Sequence, residues 1–344
     1  MVEGDTVERE ASRPVLRVEG LTTHFELPRR TVRAVEDVNL EVHRGETVCI
    51  VGESGSGKSV TGLSILRLVP KPGRIVSGRI ELDGQNLLDL SPARMEKIRG
   101  PGVTMVFQNP RAALDPFFTI GDQLVETASV QMGLKRREAR IQAKEFLSAV
   151  RVPQIDRIMA GYSHQLSGGE CQRVMIAMAL MCQPKVLIAD EPTSALDAKV
   201  QSELLALLIE LKNEFKMTII LITHDFGVVA EMAERVNVMY AGRIVETGAA
   251  KDVLSSPQHP YTIGLLESVP KVGERSRRLK QIEGQPPDPS ALPPGCAFAP
   301  RCPERVPFCE RVEPRLEPVS RERLASCHLR GDLPPELEIP EAST

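Results

Sequence analysis

A glycine-rich stretch of eight residues combines the residue types that bind phosphate. It reads GESGSGKS over residues 52–59 and follows a short apolar run, TVCIV, at residues 47–51. Glycines let successive backbone N–H groups turn toward a phosphate, a lysine neutralises its charge, and a serine hydroxyl can ligate Mg²⁺. We therefore predict an ATP-binding loop between a buried strand and a helix, formed by Gly52, Glu53, Ser54, Gly55, Ser56, Gly57, Lys58, Ser59 and Val60.

A second apolar run, VLIAD at residues 186–190, ends in two carboxylates, Asp190 and Glu191. Ligands of open α/β sheets bind at the carboxyl ends of the strands. Asp190 is thus a candidate Mg²⁺ ligand, and Glu191 is the candidate base that activates an attacking water. If this run stood alone, a strand followed by a capping acid before Pro192 would be an equally good interpretation.

The segment LSGGE at residues 166–170 precedes a helical pattern. Taken alone, it is an ordinary serine N-cap followed by glycines. An exposed Ser-Gly-Gly at a helix N-terminus is also a phosphate-binding surface, the second in this chain. Two such surfaces favour a nucleotide held between two subunits.

The periodicity of apolar residues predicts the elements that position these motifs. Residues 15–42 alternate between apolar and polar, which indicates antiparallel strands joined by a hairpin. Residues 112–157 have helical spacing without a convincing strand. From residue 185 onward, strand-like and helical stretches alternate, so we expect a parallel sheet covered by helices.

The composition argues against two classes of function. The 344 residues have a net charge of −3 and no dense cluster of Lys and Arg, so nucleic-acid binding is not expected. The apolar runs, such as residues 217–223, are far shorter than the about 20 residues of a membrane-spanning helix. The acidic start, MVEGDTVERE, has no signal-peptide pattern, so we expect a cytoplasmic protein with a disordered tail over residues 1–13.

The motifs occur in the order and approximate spacing of the ATP-binding-cassette (ABC) ATPases, which residues 14–256 resemble. The matching motifs are the phosphate loop, Gln108 in VFQNP, LSGGE, the ADEP run, Ser194-Ala195-Leu196-Asp197, and His224 in ITHD. The resemblance implies an α/β fold with a RecA-like P-loop NTPase core. It also implies an antiparallel β-subdomain, an inserted α-helical subdomain at about residues 112–165, and a small cysteine-containing C-terminal appendage.

The resemblance also implies roles for individual residues. Glu191, His224 and Gln108 would be catalytic, with Gln108 reaching Mg²⁺ and the attacking water and His224 contacting the γ-phosphate. Mg²⁺ would be held through Ser59, Gln108 and Asp190. Asp197 would lie at the dimer interface. The signature residues that would complete the ATP site of the partner subunit are Ser167, Gly168, Gly169 and Glu170.

Most of these residues also have a simpler interpretation when taken singly. Gln108 fits a surface loop, Asp197 a helix N-cap, and His224 the start of a helix. The family stacks an aromatic ring on adenine ahead of the phosphate loop. Phe25 is the nearest candidate here, but it also fits the core.

Residues 257–344 are similar to the extension on ATPase subunits of bacterial dipeptide and oligopeptide importers. The similarity rests on HPYT at residues 259–262, on Leu265-Leu266, and on the run EGQPPDPSALPPGCAFAPRCP. Within the extension, four cysteines between residues 296 and 327 resemble a loop that binds a 4Fe-4S cluster. Their spacing departs from the pairs typical of zinc sites, although Zn²⁺ and unligated thiols remain alternatives. The four are Cys296, Cys302, Cys309 and Cys327.

The implied function is that of an ATP-hydrolysing subunit that powers import of dipeptides or oligopeptides. ATP would close a dimer with a second ABC ATPase subunit on the cytoplasmic face of the inner membrane. The other partners would be two transmembrane permeases and, indirectly, an extracytoplasmic peptide-binding protein. The alternatives are a related importer for nickel or another small solute, a soluble cassette ATPase of repair or translation, and a regulatory nucleotide-binding module.

Overall fold

The computed structural model describes residues 13–194, 196–269, 281–320 and 322–330. Apart from Arg13, the predicted N-terminal tail lies outside the described residues, as do Ala195 of the SALD motif and residues 331–344 of the extension. Within the described ranges, no helix is both long and apolar enough to cross a membrane.

An antiparallel sheet of four strands forms the N-terminal subdomain. The strands are β1 (Leu16–Leu27), β2 (Arg30–Val42), β4 (Gly73–Leu82) and β5 (Gln85–Asn86), in the spatial order β2-β1-β4-β5. β1 and β2 form a hairpin in which Leu27 pairs with Arg30. The predicted antiparallel subdomain is confirmed.

An eight-stranded sheet forms the core, in the order β11-β12-β10-β9-β3-β8-β7-β6. The five strands from β9 to β6 run parallel, and β3, β7 and β8 are buried along their whole length, as continuous apolar runs predict. The strands of this sheet are β3 (Thr47–Val51), β6 (Val103–Val106), β7 (Val186–Asp190), β8 (Thr218–Thr223), β9 (Arg235–Tyr240), β10 (Arg243–Ala249), β11 (Glu317–Ser320) and β12 (Arg323–Ala325).

Alternate residues of the parallel strands enter two hydrophobic clusters, one on each face of the sheet. In β3, Val48 and Ile50 join the antiparallel subdomain, whereas Cys49 and Val51 join the helices of the other face. The helices around the sheet are α1 (Lys58–Ile65), α2 (Pro92–Ile98), α7 (Gly168–Met181), α8 (Ala198–Phe215), α9 (Phe226–Met232), α10 (Ala250–Ser255) and α11 (Pro260–Glu267).

Four helices lie between β6 and α7, in the region where the sequence predicts a helical subdomain. They are α3 (Pro110–Ala113), α4 (Ile120–Met132), α5 (Arg136–Ala149) and α6 (Ile155–Ala160). The Thr119 side chain caps α4 by accepting from Asp122 N, and Gly133 ends it in the left-handed conformation. The apolar faces of α4 and α5 pack into the same cluster as α7, which fixes this region to the core.

The C-terminal extension is attached to the core sheet by two short strands. Its strand β12 pairs antiparallel with β10, and β11 pairs with β12. The buried carboxylate of Glu246 on β10 accepts from the backbone N–H groups of Gln258 and His259 and from Arg323 of β12. The sequence did not predict this attachment, because β12 has three residues and no readable alternation.

Candidate nucleotide site

The phosphate loop lies between β3 and α1, and its glycines are required by the space available. A Cβ on Gly52 would lie 2.2 Å from the carbonyl oxygen of Met239. Gly57 has φ +107°, and a Cβ there would lie 2.3 Å from the carbonyl oxygen of Ala34. The loop is therefore pressed against β2 and β9, with Ser54 and Gly55 exposed and Ser56 buried.

Lys58 folds back across the loop that it follows. Its Nζ donates to the carbonyl oxygens of Gly52 and Glu53, at 2.8 Å each. Burial lowers the pKa of Lys58, and the carboxylates of Glu191 and Asp190 oppose that effect. The two hydrogen bonds thus fix the ammonium group beside the loop.

The N-terminus of α1 offers donors to a phosphate. Its N-cap, Gly57, provides no side-chain cap, so the first N–H groups of the helix have no side-chain acceptor there. Val60, in the same turn, packs against the hydrophobic cluster beneath. The loop and helix end have the donor set that the sequence predicts for phosphate binding.

Ser59 and Asp190 form a pair of oxygen donors next to the loop. The Ser59 hydroxyl donates to Asp190 Oδ1 at 3.0 Å. Asp190 ends β7 and is buried, and this burial raises its pKa although the Ser59 hydrogen bond opposes the rise. A hydroxyl and a carboxylate are ligands that Mg²⁺ prefers, so the residues present fit this ion.

Glu191 receives partners from two neighbouring segments at the sheet edge. Gln108 Nε2, after β6, donates to Glu191 Oε2 at 2.7 Å, and His224 Nδ1, after β8, lies 3.1 Å from Oε1. The Glu191 side chain is 14% exposed and that of His224 is 60% exposed. Glu191 also has φ +45°, which is strained for a residue other than glycine. Gln108 and His224 thus hold the carboxylate of Glu191, which follows Asp190 in the chain and interacts electrostatically with Lys58 of the loop.

The signature segment lies at the N-terminus of α7. Ser167 accepts from Glu170 N, and the Glu170 carboxylate accepts from Ser167 N in return, which is a capping box. In the described part of the chain, the side-chain hydrogen bonds of these two residues stay within the segment or go to Arg157. Ser167 is exposed, with Gly168 and Gly169 half-buried beside it. The contact with a partner's ATP stays a prediction.

Asp197 caps α8, and its carboxylate accepts from Lys199 N and Val200 N at 3.1 Å each. The simpler interpretation of this residue is therefore present in the structure. Its side chain is exposed, which leaves the predicted interface role open to a partner.

Comparison with known proteins identifies the family. Residues 35–194 match the ABC transporter family, and residues 245–309 match the oligopeptide/dipeptide transporter C-terminal region. The oligopeptide transport ATP-binding protein AppD of Bacillus subtilis is 45% identical over 316 residues, which cover 92% of this chain and 96% of that protein. The chain belongs to the ABC transporter family.

A second transport protein and a solved ATP-binding cassette are also similar to this chain. The oligopeptide transport ATP-binding protein OppD of Salmonella typhimurium is 45% identical over 313 residues, covering 91% of this chain and 93% of that protein. A dimeric ATP-binding cassette, MJ0796, solved in a post-hydrolysis state with ADP and Pi, is 30% identical with a TM-score of 0.62. The match covers 68% of this chain and 98% of the MJ0796 chain. The RecA-like fold is thereby confirmed, and this ABC transporter subunit is an ATPase that uses ATP and Mg²⁺.

Two residues of the extension contact the phosphate loop, although the sequence predicts no site role for either. Tyr261 on α11 accepts from Glu53 N at 2.8 Å, and Arg301 makes two hydrogen bonds to the Glu53 carboxylate at 2.7 and 3.0 Å. Phe25, the candidate adenine-stacking residue, lies against Gly73, with which it pairs between β1 and β4. Local patterns contain no signal for the first two contacts, because they join positions more than 200 residues apart.

The four cysteines of the extension line one small cavity. All are free thiols, and burial raises the pKa of Cys296 and of Cys302 to about 11. Among the described residues, no group of three or more His, Cys, Asp or Glu side chains is arranged to hold a metal ion. Four cysteine thiolates are the ligands that a 4Fe-4S cluster takes. In the described structure, however, the four side chains are not arranged around a common metal position.

Proposed function

We propose that this chain powers import of dipeptides or oligopeptides as the ATP-hydrolysing subunit of an ABC importer. The observation that carries the proposal is the Glu191 carboxylate, held by Gln108 and His224 beside the Ser59–Asp190 pair. The oligopeptide/dipeptide transporter C-terminal region and the peptide-transport relatives support the substrate class.

The site residues divide the chemistry of hydrolysis among them. Lys58 and the N-terminal N–H groups of α1 bind the β- and γ-phosphates. Ser59, Asp190 and Gln108 hold Mg²⁺, which when bound neutralises charge on the phosphates. Glu191 takes a proton from the attacking water, and His224 contacts the γ-phosphate. Gln108 links this site to the helical subdomain that follows it.

A second ABC ATPase subunit completes each site in this proposal. Ser167, Gly168, Gly169 and Glu170 lie at the start of α7 with Ser167 exposed, and Asp197 is exposed at the start of α8. The capping box of Ser167 and Glu170 leaves the two glycines at the helix N-terminus between them, and a helix N-terminus attracts phosphate, so the ATP of the partner subunit fits there. ATP closes this dimer, and hydrolysis at Glu191 reopens it.

Two exposed phenylalanines next to the helical subdomain support docking to membrane permeases. Phe117 is 85% exposed and Phe118 is 56% exposed. The Gln123 side chain donates to the carbonyl oxygens of Asp115 and Phe118 and accepts from Asp115 N, so the loop holds both rings toward the surface. Exposed apolar groups on an ordered loop mark interaction sites. The proposal therefore places the chain at the cytoplasmic face of the inner membrane, against two permeases that receive peptide from an extracytoplasmic binding protein.

Phe117→Ser tests this docking surface. We expect peptide uptake and membrane association to fall by at least about fivefold, because the ring is lost from the interface. ATP hydrolysis by the purified subunit should stay within about twofold of wild type, since Phe117 is 85% exposed and is not among the residues assigned to nucleotide binding or hydrolysis. Val130→Ser is the matched control, because Val130 is 72% exposed on α4 of the same subdomain. Normal uptake with Phe117→Ser, or an equal loss with Val130→Ser, would contradict the assignment.

We further propose that the four cysteines bind a 4Fe-4S cluster, with Zn²⁺ as the alternative occupant. Their support is that they line one cavity and that Cys302 precedes a proline, as in ferredoxin cysteine runs. A bound cluster supplies cross-links to a segment with little core of its own, which is the structural role expected here.

Cys302→Ser should lower the iron and sulfide content of anaerobically purified protein and remove the charge-transfer absorbance near 400 nm. Both changes are expected because serine removes one thiolate ligand of the cluster. Proteolysis after residue 281 should also become faster, because the cluster no longer cross-links this segment. Cys182→Ser, a half-buried cysteine outside the extension, should keep both signals. Zinc at one equivalent without iron would assign the alternative occupant, and absence of both metals from wild type would refute a metal site.

The importer assignment is tested by purification from membranes of the native host. A tagged chain is extracted in mild detergent, and the proteins that copurify are identified by mass spectrometry. Two multi-spanning permeases and a second ABC ATPase are the expected partners. Recovery of soluble partners alone, with the tagged chain absent from membranes, would contradict transport and leave the ATPase activity standing.

A further inference from the structure

The polar groups of Glu53 are divided between the phosphate loop and the C-terminal extension. Its carbonyl oxygen accepts from Lys58 Nζ at 2.8 Å. Its N–H donates to the Tyr261 hydroxyl at 2.8 Å, and its carboxylate accepts two hydrogen bonds from Arg301, at 2.7 and 3.0 Å. The residue that orients Lys58 is therefore itself held by the extension.

Arg301 is fixed in place by several contacts of its own. Its side chain is 4% exposed, and its Nε donates to the carbonyl oxygen of Glu283 at 3.1 Å. The guanidinium also lies 5.8 Å from the ring centroid of Tyr240 and 6.0 Å from that of Phe298. A buried, bidentate arginine is a rigid donor, unlike a surface ion pair.

The position of Glu53 makes its charge important for nucleotide binding. The carboxylate is 28% exposed and belongs to the loop that receives the phosphates. A bare carboxylate at that place repels a triphosphate, and the repulsion is strong where water is partly excluded. Arg301 offsets that charge from the side away from solvent.

We infer that Arg301 and Tyr261 are positioning residues of the phosphate loop, through which the C-terminal extension sets the affinity for ATP. Tyr261 fixes the backbone of Glu53, and Arg301 neutralises and orients its carboxylate. Arg301 lies in a 3₁₀ turn (Ala299–Arg301) that ends at Cys302, so the fold of the cysteine segment reaches the loop through adjacent residues. The inference depends on ATP binding at this loop and not on the identity of the transported solute.

A double-mutant cycle on the purified full-length chain tests the inference, with a fluorescent ATP analogue for Kd and steady-state hydrolysis for KM and kcat. We expect Arg301→Ala to raise Kd and KM about tenfold and to leave kcat within about twofold, because Glu191 and its partners are untouched. In the Glu53→Gln background, Arg301→Ala should raise Kd and KM less than about threefold, since no unpaired carboxylate charge remains in the loop. Equal costs in the two backgrounds would overturn the inference.

Two further variants separate positioning from loss of the extension's fold. Arg330→Ala removes another arginine of the extension, which bonds Glu304 at 2.7 Å and the carbonyl oxygen of Gln258 at 3.0 Å. It should leave Kd unchanged, and a rise equal to that of Arg301→Ala would assign the effect to general loosening. Arg301→Lys keeps the positive charge, so its Kd for ATP should lie between those of wild type and Arg301→Ala. A rise in Kd as large as with alanine would contradict the role of Arg301 in neutralising the Glu53 carboxylate.

Discussion

Glu191→Gln is expected to bind ATP as wild type does and to hydrolyse it at least about a hundredfold more slowly at steady state. The amide has nearly the same shape as the carboxylate, so the contacts with Gln108 and His224 can persist. The amide cannot accept a proton from the attacking water at neutral pH, and the hydrolysis rate falls because this proton transfer is lost. The measurement is phosphate release at saturating ATP, together with Kd for a fluorescent ATP analogue.

The control for this substitution is Glu210→Gln on α8, which removes a carboxylate that pairs with Arg151 at the surface. Exposed pairs of this kind contribute little, so hydrolysis should match wild type. Trapping of ATP in a dimer by Glu191→Gln, seen by size exclusion with ATP and Mg²⁺, is the expected companion result. Phosphate release within about fivefold of wild type would remove Glu191 from the role of base.

Lys58→Ala weakens ATP binding by at least about a hundredfold, equivalent to about 2.7 kcal/mol. The ammonium group is buried and aligned by Gly52 and Glu53, so its contact with phosphate needs no rearrangement. The alanine leaves the phosphates without this compensating charge. The measurement is the rise in melting temperature that ATP and Mg²⁺ produce, which should be present in wild type and lost in the variant.

Lys185→Ala is the matched control for this lysine. Lys185 is half-exposed and pairs with Asp83 at 2.6 Å, away from the phosphate loop. It should show the full rise in melting temperature with ATP. A normal nucleotide response in Lys58→Ala would contradict the placement of the phosphates at this loop.

The parallel core could be predicted from the sequence because its signals are local and redundant. The runs TVCIV, VLIAD and TIILIT are continuous and apolar, as strands buried on both faces must be, and each is buried throughout in the structure. The phosphate loop was recognisable for the same reason, since its residues are contiguous and lie between a strand and a helix. The family comparison confirms this fold.

The extension's contacts could not be predicted, because they are long-range. Arg301 lies 248 positions from Glu53, and an arginine beside a cysteine has many surface interpretations. The pairing of β12 with β10 is likewise long-range, and so is the ion pair between the buried Glu246 and Arg323 that accompanies it. Local motifs can also be ambiguous. Ser167 and Asp197 both cap helices in the structure, and the same residues would suit contact with the ATP or the surface of a partner subunit, so the motif alone does not distinguish the two roles.

The central claim is that ATP hydrolysis at Glu191 drives peptide uptake, and uptake itself tests it most directly. Radiolabelled dipeptides and longer peptides are supplied to three strains of the native host, namely wild type, a deletion strain, and one carrying Glu191→Gln at equal protein level. We predict that the deletion and the substitution abolish uptake of the same class of peptide. Uptake of every peptide at the wild-type rate in both altered strains would contradict the claim.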